Sequence, residues 1–453
     1  MKQEKNKTTI TLVLMIAACV LSSLVQTALN TGISPIMEEM QINASTAQWL
    51  TSGYSLMMGI TILITAFLIK RFPTRPLFLL SVGIFSGGIL LAALAQSFAV
   101  LLVGRLIQAA AGGIIASLAQ VVILTTVPEE KKGSVMGVFG LAICAAPVLA
   151  PTLAGVVIDL AGWHMIFWGC LVLCLLLLVV SAMTVGNVLK TEQASFDIVS
   201  FVFCAVGYTG VTLALGNIGN NGFVSAQVIL PFLLGVAAFA MFVKKQLGME
   251  EPFLEIRIFK DSTFRTAAIA CMILYGIMLA SGTMIPIYAQ SMRGMTATAS
   301  GLLTMPGSLA TAVVSMFAGK WYDRYGVRKI YLIGTLLLVT SSVAFCFLGE
   351  DTSGMYIIVA NLVRSVGCGM LMMPTITWAM SKLDAKYTSD GTAIITSLRT
   401  VAGSLGAAVF TSIMTVAAQN ETAVGQIIGV NIAFAVMCVL TAVLFGIAVA
   451  KVK

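Results

Sequence analysis

Gly319-Lys320-Trp321-Tyr322-Asp323-Arg324-Tyr325-Gly326-Val327-Arg328-Lys329 is a short charged turn set between two long apolar runs. The chain holds an earlier echo of it, Ala66-Phe67-Leu68-Ile69-Lys70-Arg71-Phe72-Pro73-Thr74-Arg75, again basic, again between apolar runs, and again with an aromatic directly after its first arginine. The correspondence continues downstream. Two apolar runs after the earlier turn, Arg105 precedes Gly112-Gly113; two after the later turn, Arg364 precedes Gly367-Cys368-Gly369. Placing an arginine at the centre of a bilayer costs about 3 kcal/mol even on permissive insertion scales, so its recurrence at matching places has to serve architecture or function. Parallel repeats related by an axis along the membrane normal are a transporter architecture.

The apolar runs establish the class. Of 453 residues, 59% are hydrophobic and 10% charged, where soluble domains carry about 25% charged residues. About 20 apolar residues suffice to cross a bilayer as a helix. Fourteen such spans are predicted, at 9–34, 46–69, 76–96, 98–127, 134–159, 164–186, 198–217, 224–243, 265–290, 298–319, 329–348, 355–380, 391–418 and 425–450. Little chain remains for a soluble catalytic domain, and no enzymatic activity is expected. The net charge of +8 would suit a nucleic-acid partner, but lysine and arginine gather in short loops on alternate sides: 22 on one side, Arg293 alone on the other, and Arg105, Arg364 and Arg399 within spans. By the positive-inside rule the crowded side is cytoplasmic and carries both termini; no nucleic-acid partner is expected. The nine cysteines all fall within predicted spans, and none has metal-ligand spacing with His164, the one histidine. They read as small hydrophobes, with neither disulfide nor metal expected. The basic amino terminus runs into an apolar segment too long for a signal-peptide core, and reads as retained.

The repeat divides the chain into an N-terminal six-helix bundle (1–190), an inserted helix pair without the repeated features (191–246, spans 7 and 8), and a C-terminal six-helix bundle with a preceding cytoplasmic linker (247–453). The linker mixes charges with Pro252, Phe253 and Leu254, a pattern expected of an amphipathic segment on the membrane surface.

These residues resemble the major facilitator superfamily, and within it the fourteen-helix drug:proton antiporter branch of QacA-like and LmrB-like multidrug exporters. The family's loop signature, G-x-L-x-D-R-x-G-R-[RK], is carried by Gly319, Asp323, Arg324, Gly326, Arg328 and Lys329; its first-half copy has Lys70 in place of the acid and Pro73 in place of the glycine. The fourth-helix signature stands as Gly104, Arg105, Gln108 and Gly112, and a softened antiporter signature runs from Ala145 to Gly155. Where helix one of this branch usually carries an aspartate a few residues before an asparagine, this chain has Val25 before Asn30. The resemblance implies an all-α polytopic membrane protein with the major facilitator fold, two six-helix bundles plus two inserted helices, 14 transmembrane helices and both termini cytoplasmic. It implies secondary active export of lipophilic drugs, cationic ones included, in exchange for protons by alternating access. No cofactor is implied; a proton or sodium gradient drives the cycle. The implied setting is the bacterial plasma membrane, with lipophilic small molecules and membrane lipids as partners and a monomer as the working unit.

Candidate site residues follow from what such a carrier needs. Helices that rock past one another need small side chains at their contacts, and span 5 supplies Gly133, Gly137, Gly140 and Gly155. Pro147 and Pro151 remove helix donors and are expected to kink that span into a gate. Cargo is expected against Gln26, Asn30 and Gln108 in the first bundle and Tyr275, Met278, Asn361, Met370 and Trp378 in the second, since methionine and aromatic surfaces accept varied lipophilic shapes. No acid falls near the middle of a span, which places proton coupling off-centre, at Asp159 or Glu38 with Arg105 as the modulating cation, or at His164. Arg105 reads alternatively as an organiser of helix contacts through Gln108 and neighbouring carbonyls. Asp323, Arg324 and Arg328 read as a cytoplasmic latch acting through charge and helix dipoles. Lys70 is expected to be unable to make the matching contact, leaving the latch one-sided, and Arg399 is expected to snorkel to the cytoplasmic surface. Two further readings stay open: an exporter or flippase of a native lipid, peptide or metabolite on the same fold, and a transport-dead receptor or scaffold, which would need a soluble signalling domain. An ATP-driven pump would need a G-x-x-x-x-G-K-[ST] loop, which the chain lacks.

Overall fold

A segment crossing hydrocarbon has no water for its backbone, so it satisfies its own N–H and C=O groups as a helix. The computed structural model describes every residue except 1, 43, 48, 192–196, 222, 223, 250, 251, 253, 296, 419–421 and 453, and the described residues are helical nearly throughout, without a strand. The helices are α1 (Lys2–Met40), α2 (Trp49–Arg71), α3 (Thr74–Ala93), α4 (Phe98–Thr126), α5 (Glu129–Ala161), α6 (His164–Thr184), α7 (Ile198–Asn221), α8 (Ala226–Gly248) and α9 (Ser262–Ile287). Ala297–Phe345 is one helical run broken at Gly326, and its arms, 297–325 and 327–345, are α10 and α11. The chain closes with α12 (Gly354–Met380), α13 (Thr388–Val416) and α14 (Ala423–Ala450). A helix thus stands at each predicted span. Among the described residues 11 helices are long and apolar enough to cross a membrane, the α10–α11 run being one of them.

The two charged turns bend by different means. Gly326 has φ 76° and ψ 167°, a conformation that a side chain would strain and glycine adopts freely. In the first-half copy Pro73, at φ −59°, stands immediately before the first residue of α3, where a fixed φ and a missing N–H do no harm. The glycine-to-proline change keeps the turn.

In the first half α4 packs on α3 and α2, α3 on α6, and α1 on α5; in the second, α12 packs on the α10–α11 run and on α9, and α9 on α13. The halves meet through α5 against the α10–α11 run and through α2 and α4 against α13. The pair α7 and α8 packs chiefly on itself, and α7 touches both α2 and α13, with Tyr208 seated over Gly59. The linker between α8 and α9 packs on protein through part of its length. Leu254 and Ile258 are buried, Glu255 caps the short turn Ile256–Lys260, and Gln246 of α8 accepts the Leu254 N–H at 2.9 Å. One face of the linker is thus buried against protein and ties α8 to α9; Phe253 lies outside the described residues.

Candidate transport site

Arg105 is fully inaccessible to solvent. Its Nη1 donates to the Val25 carbonyl at 3.1 Å and to Gln108 Oε1 at 3.0 Å, and its Nη2 donates to the Gln26 carbonyl at 3.4 Å. The guanidinium also lies 4.4 Å from the centre of the Tyr54 ring. Gln108, one turn along α4, donates its amide to the Gly88 carbonyl at 2.9 Å, so the arginine is held between α1, α3 and α4. Backbone dipoles and an aromatic face stabilise the cation in place of a carboxylate. Tyr54 was not singled out in the sequence, where nothing marks a tyrosine two helices upstream as a partner.

The second half repeats the arrangement with different partners. Arg364 donates from Nε and Nη2 to Asn361 Oδ1, at 3.2 and 2.7 Å, and from Nη1 to the Ser281 hydroxyl on α9. Asn361 in turn donates to the Thr304 carbonyl on α10 at 3.4 Å. Each arginine is therefore bound to an amide one turn away and to the first helix of its own half. Arg399 does not snorkel. It is half-buried on α13, donates to the Tyr275 hydroxyl on α9 at 3.1 Å, and stands 5.2 Å from that ring's centre. The Tyr275 hydroxyl and ring hold the guanidinium part-way along the helix.

Hydrogen bonds and an ion pair join the halves at the end where the basic loops lie. Asp323 accepts from the backbone N–H groups of Gly133 and Ser134, at 2.9 and 2.7 Å, and from the Ser134 hydroxyl at 2.6 Å, so a carboxylate sits over the first turns of α5. This is a favourable site for negative charge. Here α5 and α10 are in direct backbone contact: a Cβ on Gly319 would overlap the Gly133 carbonyl oxygen. Arg324 and Arg328 are exposed beside it. The latch is not one-sided. Lys70 forms an ion pair at 2.5 Å with Asp390, in the first turn of α13, and Asp390 is wholly buried. Lys70 stands where the loop signature has its acid, and the acid stands instead on the facing helix; the contact is kept with its charges exchanged. Asp390 also accepts from the Glu255 N–H at 3.3 Å, which draws the linker into the same contact. Sequence reading passed over Asp390 because an acid near a helix start is usually just solvated. One step deeper, Thr396 of α13 donates to Gln120 of α4 at 3.3 Å. A cavity of about 470 Å³ opens at this end between Leu124, Pro128, Tyr322, Thr377, Met380 and Thr388.

Glu38 is exposed, and His164 stacks on Trp163 with ring centres 3.6 Å apart and Nε2 at 3.2 Å from the Ala95 carbonyl. The Trp163 indole donates to Glu39 at 2.7 Å. Of the cargo candidates, Gln26 and Met278 are half-buried, whereas Gln108, Tyr275, Asn361, Met370 and Trp378 are buried. Trp378 packs edge-on against Tyr331, 5.3 Å between centres. Gly155 has open space where a Cβ would stand. The side chains of Asn30, Pro147, Pro151 and Asp159 lie outside the described residues.

Helical halves with matched arginines and paired loop latches define a membrane carrier. The chain belongs to the Major Facilitator Superfamily, whose family model matches residues 15–407. It is 34% identical over 405 residues to the MFS-type transporter YhcA of Bacillus subtilis, covering 89% of this chain and 76% of that one. It is 34% identical over 381 residues to the lincomycin resistance protein LmrB of Listeria innocua, covering 84% of this chain and 81% of that one. Among solved structures, the human organic anion transporter MFSD10 (TETRAN) superposes with a TM-score of 0.70 over 97% of this chain and 99% of that one; at 13% identity the likeness speaks to the fold alone. The protein is a multi-pass carrier of the cell membrane, not an enzyme.

Proposed function

We propose that the protein exports lipophilic small molecules from the cytoplasm in exchange for protons by alternating access. In this reading the chain crosses the membrane fourteen times with both termini cytoplasmic, as an N-terminal bundle (1–190), an inserted pair (191–246) and a C-terminal bundle (247–453), working as a monomer among membrane lipids. The observation that carries it is the double latch. Asp323 over α5 and Lys70 with Asp390 join the two halves at the basic-loop end, which the positive-inside rule makes cytoplasmic. Contacts that close one end and separate when the other closes are what alternating access requires. The likeness to LmrB, named for lincomycin resistance, supports drug-like cargo. Proton exchange is assigned to Glu38, exposed at the opposite end, or to Asp159 or His164, with Arg105, held by carbonyls of α1, as the modulating cation.

Purified protein in liposomes, given an imposed proton gradient and loaded with ethidium or a neutral lipophilic dye, tests this reading. Dye flux that follows the gradient and stops when an ionophore collapses it is the expected result. Flux indifferent to both proton and sodium gradients would sink it.

A further inference from the structure

Resting on the exporter reading above, we propose that Arg399 and Tyr275 form the subsite for the anionic group of a lipophilic organic anion. Arg399 lies eleven residues beyond Thr388, the first residue of α13, or about 16 Å along the axis at 1.5 Å per residue. That places it in the middle third of the helix. The Gln120–Thr396 hydrogen bond closes the basic-loop end one turn before it, so the half-buried guanidinium stands just beyond the closed contacts.

The three intramembrane arginines differ in how far the protein satisfies them. A guanidinium has five N–H donors. Arg105 and Arg364 each make three hydrogen bonds to carbonyl, amide or hydroxyl oxygens, with the Arg105 Nε alone of its nitrogens left without a partner among the described residues. Among the described residues Arg399 makes one, to the Tyr275 hydroxyl, and the adjacent ring orients the planar fork without neutralising its charge. Among the described residues no carboxylate pairs with it. The nearest acid in sequence, Asp390, is already held by Lys70. A cation at this depth is stabilised most by an anion that can meet its fork with two parallel hydrogen bonds, as a carboxylate does.

The surroundings supply the apolar remainder of the ligand's site. Met278 lies one turn beyond Tyr275 on the same face of α9 and is half-buried. Leu279 lies against Gly403, which follows Arg399 by one turn on α13. A polar pair thus adjoins a soft, polarizable wall leading away from the closed end.

The test measures a ratio of affinities. Wild-type protein in nanodiscs is titrated with 1-pyrenebutyrate and with its uncharged methyl ester, and the same is done for Arg399→Gln and Arg399→Lys, each checked for monodispersity and melting. Wild type is expected to bind the carboxylate at least about tenfold more tightly than the ester. Arg399→Gln is expected to bring the ratio to near one, and Arg399→Lys to retain part of it. Equal affinities in wild type, or a wild-type ratio surviving in Arg399→Gln, would overturn the proposal, the second outcome covering a merely structural arginine that weakens both probes alike. Flux in liposomes separates this proposal from the one beneath it: export of the ester or ethidium without pyrenebutyrate defeats the anion subsite alone, and export of none of the three defeats the exporter reading as well.

Discussion

Nη1 of Arg105 donates to the backbone carbonyl of Val25 across 3.1 Å, so the residue standing where the related branch carries an aspartate still receives the arginine, through its main chain. A permanent charge wholly removed from solvent is thereby balanced by dipoles from α1, an amide on α4 and the ring of Tyr54. The pairing depends on the backbone of α1 and not on what its side chain is.

That dependence makes two variants diverge. Val25→Ala removes packing and keeps the carbonyl, so export persists. Arg105→Ala strands acceptors on two helices, α1 and α4, at roughly 1–3 kcal/mol each, and both export and the melting point in detergent are expected to fall. Parallel loss of export in both variants would show that the Val25 side chain, not its carbonyl, is what matters.

The exchanged charges of the first latch predict a rescue. Lys70→Asp or Asp390→Lys alone sets two like charges together in a buried site, and breaking such a pair costs roughly 3–5 kcal/mol. Each single change is therefore expected to open the basic-loop end, raising the maleimide reactivity of a cysteine placed at Thr377 in an otherwise cysteine-free protein and slowing export. Combining the two restores the opposite signs and is expected to bring both readouts back toward wild type. A double variant as reactive as the singles would mean the pair does not hold the end closed.

Acid is expected to loosen the inserted pair. Asp197, just before α7, is pulled two ways: burial disfavours its charged form, and hydrogen bonds from Lys245 of α8 and from Ser200 outweigh this and hold its carboxyl below the ordinary range. A carboxylate whose value is depressed on folding contributes stability that is full above its unfolded value, about pH 4, and is lost as pH falls through the folded one. The melting point of wild type should therefore be level from about pH 7 to 5 and decline below about pH 4. Asp197→Asn is expected to lower the plateau slightly and flatten the decline, modestly, because the pair lies near solvent. An unchanged acid limb in that variant would assign it to other carboxylates.

Much of the architecture was legible residue by residue. The paired turns at 66–75 and 319–329, the matched Arg105 and Arg364, and the lopsided lysine and arginine loops rest on local spacing and composition, which bilayer physics translates directly into helices and sides. Gln108 was legible as a neighbour of Arg105 because residues three apart share a helix face. The carbonyls of Val25 and Gln26 were not, since a main-chain acceptor carries no side-chain signature. Asp390 escaped for another reason. Read along the chain it is an acid near a helix start, and its burial exists because the fold brings Lys70 of α2 and the linker at Glu255 against it.

What the sequence by itself determined is the class: helices of membrane length, a repeated half, and three cations that hydrocarbon would reject unless they were held. Tertiary structure alone decided how they are held. Arg105 rests on carbonyls of α1 and Arg364 on a hydroxyl of α9; Arg399 faces Tyr275, and a lysine and an aspartate exchange places across the latch. The physical reason is that hydrophobic length is a property of consecutive residues, whereas the compensation of a buried charge depends on which distant backbone or side chain packing brings within about 3 Å of it.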